Sequence, residues 1–388
     1  MQSMRSLNQS DSKLILAIGM VDSVHFGRWL NETKDLPSRF VIFPSGPNRR
    51  VHPSISNLVS TNAHQFKLSK ILMLLSLPIW VLDKFFFGRL RAVIISSLLK
   101  RNQFDVIHFH EMQSGGYPLM WVSAGLLSKT KVLYTPYGSD MFWFQHDHRH
   151  LPRIRQTLRL VDGMFPECKR DGELALKYGF KGEILATMPA SGAFRLDERE
   201  SSPIASRSKI VVKGYGGTWG RAIIALRSLE AVQEDLTGYE IHLTSVTSDV
   251  AREVKRLQSE STLSLVSHPK FSLSSEEVRS LLSQSKFHIA LSVSDGFPAS
   301  LTEALACGAI PIQSDTACLP ESLVAIAPDN FVSTENWEGI GKVLLGLAED
   351  SARLRLLSAM FTEWAKNQAL DPAQFRSIIS KAYGITPV

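Results

Sequence analysis

Residues 287–308 read FHIALSVSDGFPASLTEALACG, and this stretch decides the fold. The run 287–294 reads as a buried strand, and 300–307 followed by Gly308 as a short helix with a glycine stop. Asp295 and Glu303, with seven residues between them, bracket a tight Gly-Phe-Pro turn that opens into the helix. A strand end, a turn and a helix N-terminus therefore meet at one point. Backbone N–H groups at a helix start have no intrahelical partner and the helix dipole favours negative charge there, so the arrangement suits a phosphate. Carboxylates beside it suit sugar hydroxyls.

The same alternation extends outward in both directions. Apolar runs at 14–21, 40–43, 106–109, 132–135, 163–166 and 184–188 alternate with helical stretches in the first half. Runs at 210–213, 241–246, 263–266, 287–293 and 310–313 do so in the second. This is the cadence of parallel sheets covered on both faces. Residues 195–208 (RLDERESSPIASRS) are charged and Ser-rich and contain Pro203, which reads as a linker. The expectation is an α/β protein of two doubly wound, Rossmann-like domains, 1–200 and 201–365, followed by a helical tail over 366–388. Open α/β sheets bind ligands beyond the carboxyl ends of their strands, so two such domains facing one another would share a central cleft.

Bulk properties narrow the partners. A chain of 388 residues exceeds what one compact core usually supports. The formal charge of +6 invites an anionic partner, but no nucleic-acid motif accompanies it. Cys168, Cys307 and Cys318 form no ligand-like spacing, which fits a reducing compartment. The apolar run 14–21 is followed directly by Asp22 with no small-residue cleavage site, so it reads as a first strand rather than a signal peptide, and a cytoplasmic location is expected.

The stretch 292–321 (SVSDGFPASLTEALACGAIPIQSDTACLPE) resembles the donor-site signature of the family 4 glycosyltransferases, retaining enzymes of the GT-B fold. In that family two acids separated by seven positions flank a Gly-Phe-Pro or Gly-Phe-Gly turn, followed by Glu-Ala, a small residue, Ala and a glycine. Segments 104–110 (FDVIHFH), 132–140 (VLYTPYGSD) and 213–222 (KGYGGTWGRA) look like the same family in the same order. Three departures stand out. Asp295 replaces the usual Glu, Tyr137 stands where many members carry His, and the basic pair runs Lys213 then Arg221 rather than Arg then Lys. The resemblance implies that Glu303 accepts hydrogen bonds from the ribose hydroxyls of a nucleotide. It implies that Asp295 contacts the donor sugar, aided by backbone amides at Gly296, Phe297 and Ala299 around Pro298 and the helix start at Ser300. It also implies a last helix that returns to the first domain.

Each candidate has an ordinary alternative. Ser300-Leu-Thr-Glu303 has the pattern of a capping box, in which Glu303 merely closes the helix N-terminus. The turn from Lys213 to Arg221 is rich in glycine, with Gly216, Gly217 and Gly220 permitting close approach of a phosphate between two cations. It lacks the Gly-Lys-Ser/Thr of a P-loop and is otherwise a flexible turn. In the first half, Asp22, Ser23 and His25 follow a strand and open a helix, as a ligand contact or a cap. His108 and His110 point to one face of their strand. His110, nearer the carboxyl end, is the candidate for the cleft, and His108 a satisfied core residue. Tyr137 and Asp140 lie where the family places catalytic groups, although Asp140 could also cap the next segment. The run Gln145 to His150 (QHDHRH) tempts a metal assignment, but an intervening Arg spoils it, so no metal and no cofactor are expected. Residues 67–101 are the most apolar region and are framed by Lys67, Lys70, Lys84, Arg89, Arg91, Lys100 and Arg101. They either pack as ordinary helices or lie on an anionic membrane surface.

These features together lead to the expectation of a retaining, metal-independent glycosyltransferase. It would move a sugar from a nucleotide-diphosphate donor to a hydroxyl of a glycan or lipid-linked acceptor, in cell-surface polysaccharide synthesis. A nucleotide-sugar 2-epimerase of the same architecture, or a catalytically silent binding subunit, are the alternatives.

Overall fold

The computed structural model describes residues 12–47, 50–193, 202–217, 219–333, 335, 338–368 and 370–385. The chain divides into two compact units, Met1–Arg195 with Leu370–Val388, and Leu196–Ala369. Each is a parallel sheet with helices on both faces.

In the first unit, strands β1 (Lys13–Gly19), β2 (Ser38–Pro44), β3 (Phe66–Leu68), β4 (Val106–His110), β5 (Lys131–Thr135), β6 (Gly163–Met164) and β7 (Glu183–Ile184) pair in the order 3-2-1-4-5-6-7. Helices α1 (Val24–Glu32), α2 (Pro53–Thr61), α3 (Lys70–Phe86), α4 (Arg89–Arg101), α5 (Ala124–Leu127), α6 (Leu151–Leu158) and α7 (Lys169–Lys177) make the crossovers. The central strand β1 shows why. Successive side chains alternate across a sheet, so Ile15 and Ala17 enter one core while Leu16 and Ile18 enter the other, and all four are buried. A strand apolar on both faces is stable only when both are covered.

In the second unit, β8 (Lys209–Lys213), β9 (Glu240–Val246), β10 (Ser264–Pro269), β11 (Ser285–Ala290), β12 (Ile310–Ser314) and β13 (Phe331–Val332) pair in the order 10-9-8-11-12-13. Its helices are α8 (Ala222–Glu230), α9 (Ser248–Glu260), α10 (Ser275–Ser283), α11 (Ala299–Ala306), α12 (Glu321–Val324), α13 (Glu338–Ala348) and α14 (Ser351–Gln368). The chain then returns to the first unit as α15 (Pro372–Tyr383). There Phe375 packs edge-on against Trp29 at 5.0 Å between ring centroids, and the Tyr383 hydroxyl lies 2.8 Å from Nδ1 of His108.

The expected strands all form, some shorter and some longer than their apolar runs. The run 184–188 contributes only the short β7, and the helix expected over 221–236 ends at Glu230, followed by a 3-10 turn Gln233–Leu236. Edge strands β3 and β13, three and two residues long, escaped the sequence because both are shorter than the run of about four residues over which alternation can be read. The expected linker, 195–208, is described only in its second part. Residues 195–201 lie outside the described residues, and from 202 onward the segment packs on the second unit. Ile204 is buried, and Arg207 donates to the carbonyls of Ser202, Ser285 and Cys307.

Candidate functional site

In the second sheet the strand order reverses between β8 and β11, so the connections leaving these neighbours run to opposite faces and leave a crevice at their carboxyl ends. Lys213 ends β8, and the chain beyond Ala290 leaves β11 toward Asp295. Both departing segments are stitched together. Gly220 bridges Ser292, Arg221 N donates to Leu291 O, and Val293 N donates to Trp219 O. Lys213 Nζ lies 3.1 Å from Ser292 Oγ and 3.1 Å from Asp295 Oδ2. The side chains are only 17% and 25% exposed, so this ion pair is partly shielded yet open to a ligand. Asp295 is steadied from behind by Cys318, whose N–H donates to the carbonyls of Asp295 and Gly296. The Ser314 and Thr316 hydroxyls hold the Ser292 carbonyl.

The glycine-rich turn is also held in place. Gly216 N donates to Thr247 Oγ1 at 2.9 Å and Gly217 N to Asp249 Oδ2 at 2.8 Å, while Thr247 Oγ1 donates to Asp249 Oδ1. These bonds hold the Asp249 carboxyl below its usual range. Gly217 has φ of +64°, and a Cβ at Gly220 would stand 1.9 Å from Tyr215 O, so both positions require glycine. Arg221 sits at the N-cap of α8. Below the turn lies His288, whose pKa is lowered to about 3 by burial first and by the nearby Lys213 charge second.

At α11 the structure corrects the capping-box alternative. The N-cap is Pro298, with no side-chain cap, and Ser300 lies inside the first turn. Among the described residues its buried Oγ has no hydrogen-bond partner, although a capping Ser would accept an amide proton. Ser300 and Glu303 are three residues apart and so share one helix face, and both are half-buried. The amides of Ala299 and Ser300 precede the helix's own ladder. The Phe297 ring is turned toward Trp364, 5.9 Å away, so only its backbone faces this turn.

The first unit corrects two expectations. His110 is 1% exposed and stacks on His108 at 4.5 Å within a cage of Phe26 and Trp29, and its Nδ1 has no hydrogen-bond partner among the described residues. Burial and the neighbouring His108 hold its pKa well below the usual value. It belongs to an aromatic core rather than an open cleft, because the side chain leaves the strand toward α1. Asp140 is 2% exposed, and its Oδ2 accepts from Met112 N, Tyr134 OH and Tyr137 N. That carboxylate organises the turn after β5 instead of meeting a nucleotide. His108, bonded to Tyr383 and to Thr135, is the satisfied core histidine expected. Tyr137 stays half-buried with its hydroxyl 3.5 Å from Ser23 Oγ and its ring 5.8 Å from His25. In the run 145–150, Asp147 pairs with Arg149 and His150 Nδ1 with Tyr117 OH. Among the described residues no group of three or more His, Cys, Asp or Glu side chains is arranged to hold a metal.

Sequence reasoning missed Thr247, Asp249 and Ser292, which orient the loop and the lysine. A Thr-x-Asp directly after a strand and at a helix start was the available signal. It also missed Glu111, which takes φ of +69° directly after β4 and whose carboxylate accepts from the amides of Ser114 and Gly115.

Residues 14–162 match the family described as glycosyl transferase 4-like, and residues 249–367 match glycosyl transferases group 1. Among solved structures, HepE of Anabaena in complex with UDP-glucose superposes with a TM-score of 0.67 at 10% identity, over 96% of this chain and 99% of that one. Sucrose-phosphate synthase of Thermosynechococcus elongatus gives 0.65 at 12% identity, over 96% and 98%. A glycosyltransferase of Rickettsia africae ESF-5 gives 0.61 at 12% identity, over 96% and 98%. At such identities the likeness carries the fold, which is GT-B. A protein of Sulfolobus islandicus filamentous virus (isolate Iceland/Hveragerdi), provisionally named glycosyltransferase 41, is 45% identical over 62 residues. That match spans 16% of this chain and 19% of the viral protein.

Proposed function

This chain belongs to the group 1 glycosyltransferases, and we propose that it transfers a sugar from a nucleoside-diphosphate donor to a hydroxyl of a glycan or lipid-linked glycan with retention of anomeric configuration. The observation that carries this reading is the Lys213–Asp295 pair at the strand-order reversal, beside the start of α11. The amides of Ala299 and Ser300 offer donors to a diphosphate, the glycine turn permits its close approach between Lys213 and Arg221, and among the described residues Ser300 Oγ lacks a partner that a ligand oxygen would supply. Glu303, on the same helix face, suits the ribose hydroxyls, and Asp295 the hydroxyls of the sugar.

In the proposed reaction the acceptor oxygen bonds to the anomeric carbon on the face from which the diphosphate departs. The bond from that carbon to the phosphate oxygen breaks, and the acceptor proton passes to the departing oxygen. Lys213 and Arg221 neutralise the growing charge on the leaving group, so the reaction proceeds without a metal. Positioning and charge stabilisation then supply most of the rate. The setting we infer is cell-surface polysaccharide synthesis at the cytoplasmic face of a membrane, supported by the exposed apolar helix described below.

The test begins with thermal stabilisation by UDP, GDP and ADP, since a ligand that binds only the folded state raises its midpoint by mass action. Transfer from the matching labelled nucleotide sugar follows. Glu303→Ala is expected to lower turnover by orders of magnitude while the apo protein's melting midpoint holds. Equal turnover in that variant, or epimerised donor without transfer, overturns the reading.

A further inference from the structure

Helix α3 (KILMLLSLPIWVLDKFF) buries polar side chains and leaves much of its apolar surface exposed. Its two buried side chains are the polar Ser76 and Asp83. Asp83 is clamped by Arg91 Nε at 2.6 Å, and Arg91 in turn donates to the carbonyls of Ser45 and Ser114. Much of the apolar surface faces outward: Leu74 is 79% exposed, Phe85 76% and Ile71 68%, with Leu75, Val81, Leu82, Phe86 and Phe87 also exposed, while Leu72, Met73, Leu77, Ile79 and Trp80 are half-buried. A helix in a water-soluble protein normally turns the other way, because each exposed large apolar side chain forgoes about 1.5–3 kcal/mol of burial. A contiguous exposed patch of this kind marks a surface that meets something apolar.

The flanking charges identify what that is. Residues 66–104 contain a single acidic residue, Asp83, and it is buried and paired, whereas Lys67, Lys70, Lys84, Arg89, Lys100 and Arg101 are exposed. Trp121, 44% exposed, carries the Arg89 guanidinium 4.2 Å from its ring centroid, and its indole N–H donates to the Phe87 carbonyl at the turn between α3 and α4. A groove of about 490 Å³ on α4 is lined by Arg89, Ser96, Ser97, Lys100 and Trp121. Two cations, two hydroxyls and an indole at the edge of an apolar face suit a phosphodiester headgroup whose acyl chains lie beside it. Among the described residues no single helix is long and apolar enough to cross a membrane. Helices α3 and α4 bend by 117° where they meet, and α4 is held in the unit by buried Ala92, Ile95 and Leu99.

We propose that α3, the turn at Phe87 and the Arg89–Lys100 groove form a docking face for an anionic lipid bilayer, with α3 lying in the interface plane. This deepens the membrane setting named above and rests on that reading only for its purpose, which is to bring a lipid-linked acceptor to the enzyme.

Sedimentation with vesicles of phosphatidylcholine, with and without phosphatidylglycerol, tests it, with melting shifts from UDP, GDP and ADP recorded on the same preparations. The full chain is expected to bind vesicles containing phosphatidylglycerol, more weakly in high salt. Leu74→Ser with Phe85→Ser, both fully outward, is expected to reduce partitioning about tenfold or more. Lys84→Ser with Lys100→Ser is expected to remove most of the preference for phosphatidylglycerol. Wild-type protein that ignores both vesicles, or variants that bind as wild type does, overturns the proposal. So does an analytical ultracentrifugation result in which α3 proves to be buried between two copies, with Leu74→Ser converting a dimer to monomer. A retained nucleotide shift without vesicle binding removes the docking face alone, and vesicle binding without any nucleotide shift removes the transferase reading alone.

Discussion

Lys213 and Asp295, 82 positions apart in the chain, meet at 3.1 Å where the second sheet reverses its strand order. The pair is joined by Ser292, so the ammonium is held by a hydroxyl and a carboxylate before any ligand arrives. Such preorganisation matters because a charge already in place needs no reorganisation as the leaving group forms.

Removing that cation tests the relationship. Lys213→Ala is expected to lower turnover about 10²–10³-fold. Asp295→Glu, which adds one methylene, is expected to retain far more activity than Asp295→Ala. Steady-state kinetics with the matching nucleotide sugar, alongside melting curves, separates lost chemistry from lost folding.

The Thr247–Asp249 clamp on the glycine turn acts on binding rather than chemistry. Asp249→Ala removes the acceptor for Gly217 N and the partner of Thr247. Nucleoside-diphosphate affinity is expected to fall about tenfold, equivalent to about 1.4 kcal/mol, with a small change in melting midpoint. Isothermal titration reads the affinity directly, and unchanged binding would show that the loop is held by its other bonds.

Glu111 couples the first unit to pH. Burial raises its pKa from about 4.5 to about 7, and buried Asp140 is raised as well, by burial first and by Glu111 second. A carboxyl with a raised folded pKa favours the fold below its unfolded value and loses that contribution as pH rises through the folded one. The contribution of Glu111 is therefore full below about pH 4.5 and gone above about pH 7. Buried His108 and His288, both lowered to about 3, act oppositely and favour the fold above pH 6.5. The difference between wild type and Glu111→Gln isolates the carboxyl: from pH 5 to pH 8 the wild-type midpoint should fall relative to the variant's.

The returning helix is expected to be essential to the first unit. Phe375 is fully buried against Trp29, and Phe375→Ala should cost about 3–5 kcal/mol. Denaturant unfolding followed by Trp fluorescence measures this, and a loss below about 1 kcal/mol would mean that α15 contributes little.

Much of the fold was legible because doubly wound strands are short apolar runs whose periodicity is local. β1, β4, β8 and β11 declare themselves that way, and so does the Asp-Gly-Phe-Pro turn before α11. The edge strands β3 and β13 did not, being too short for an alternation to be read. Within the site, Lys213, Asp295, Ser300 and Glu303 were legible from residue type and spacing. Thr247 and Asp249 carried a Thr-x-Asp signal at a helix start that went unread, and Ser292 carried none, since a single hydroxyl makes no pattern. His110 at the end of β4 and Asp140 in the turn after β5 misled, because their sequence positions are the same whether the side chain turns outward or inward.

The order of residues alone determined two parallel sheets, a glycine-rich turn between two cations and an acidic pair around a helix start, since each depends on neighbours within a few positions. Tertiary structure decided which of these groups meet and which are buried. It brought Lys213 to Asp295, closed Asp140 and His110 into the interior, and turned Leu74, Leu82 and Phe85 of α3 outward over a buried Asp83. Burial and pairing depend on distant segments that pack against a residue, and no local pattern encodes them.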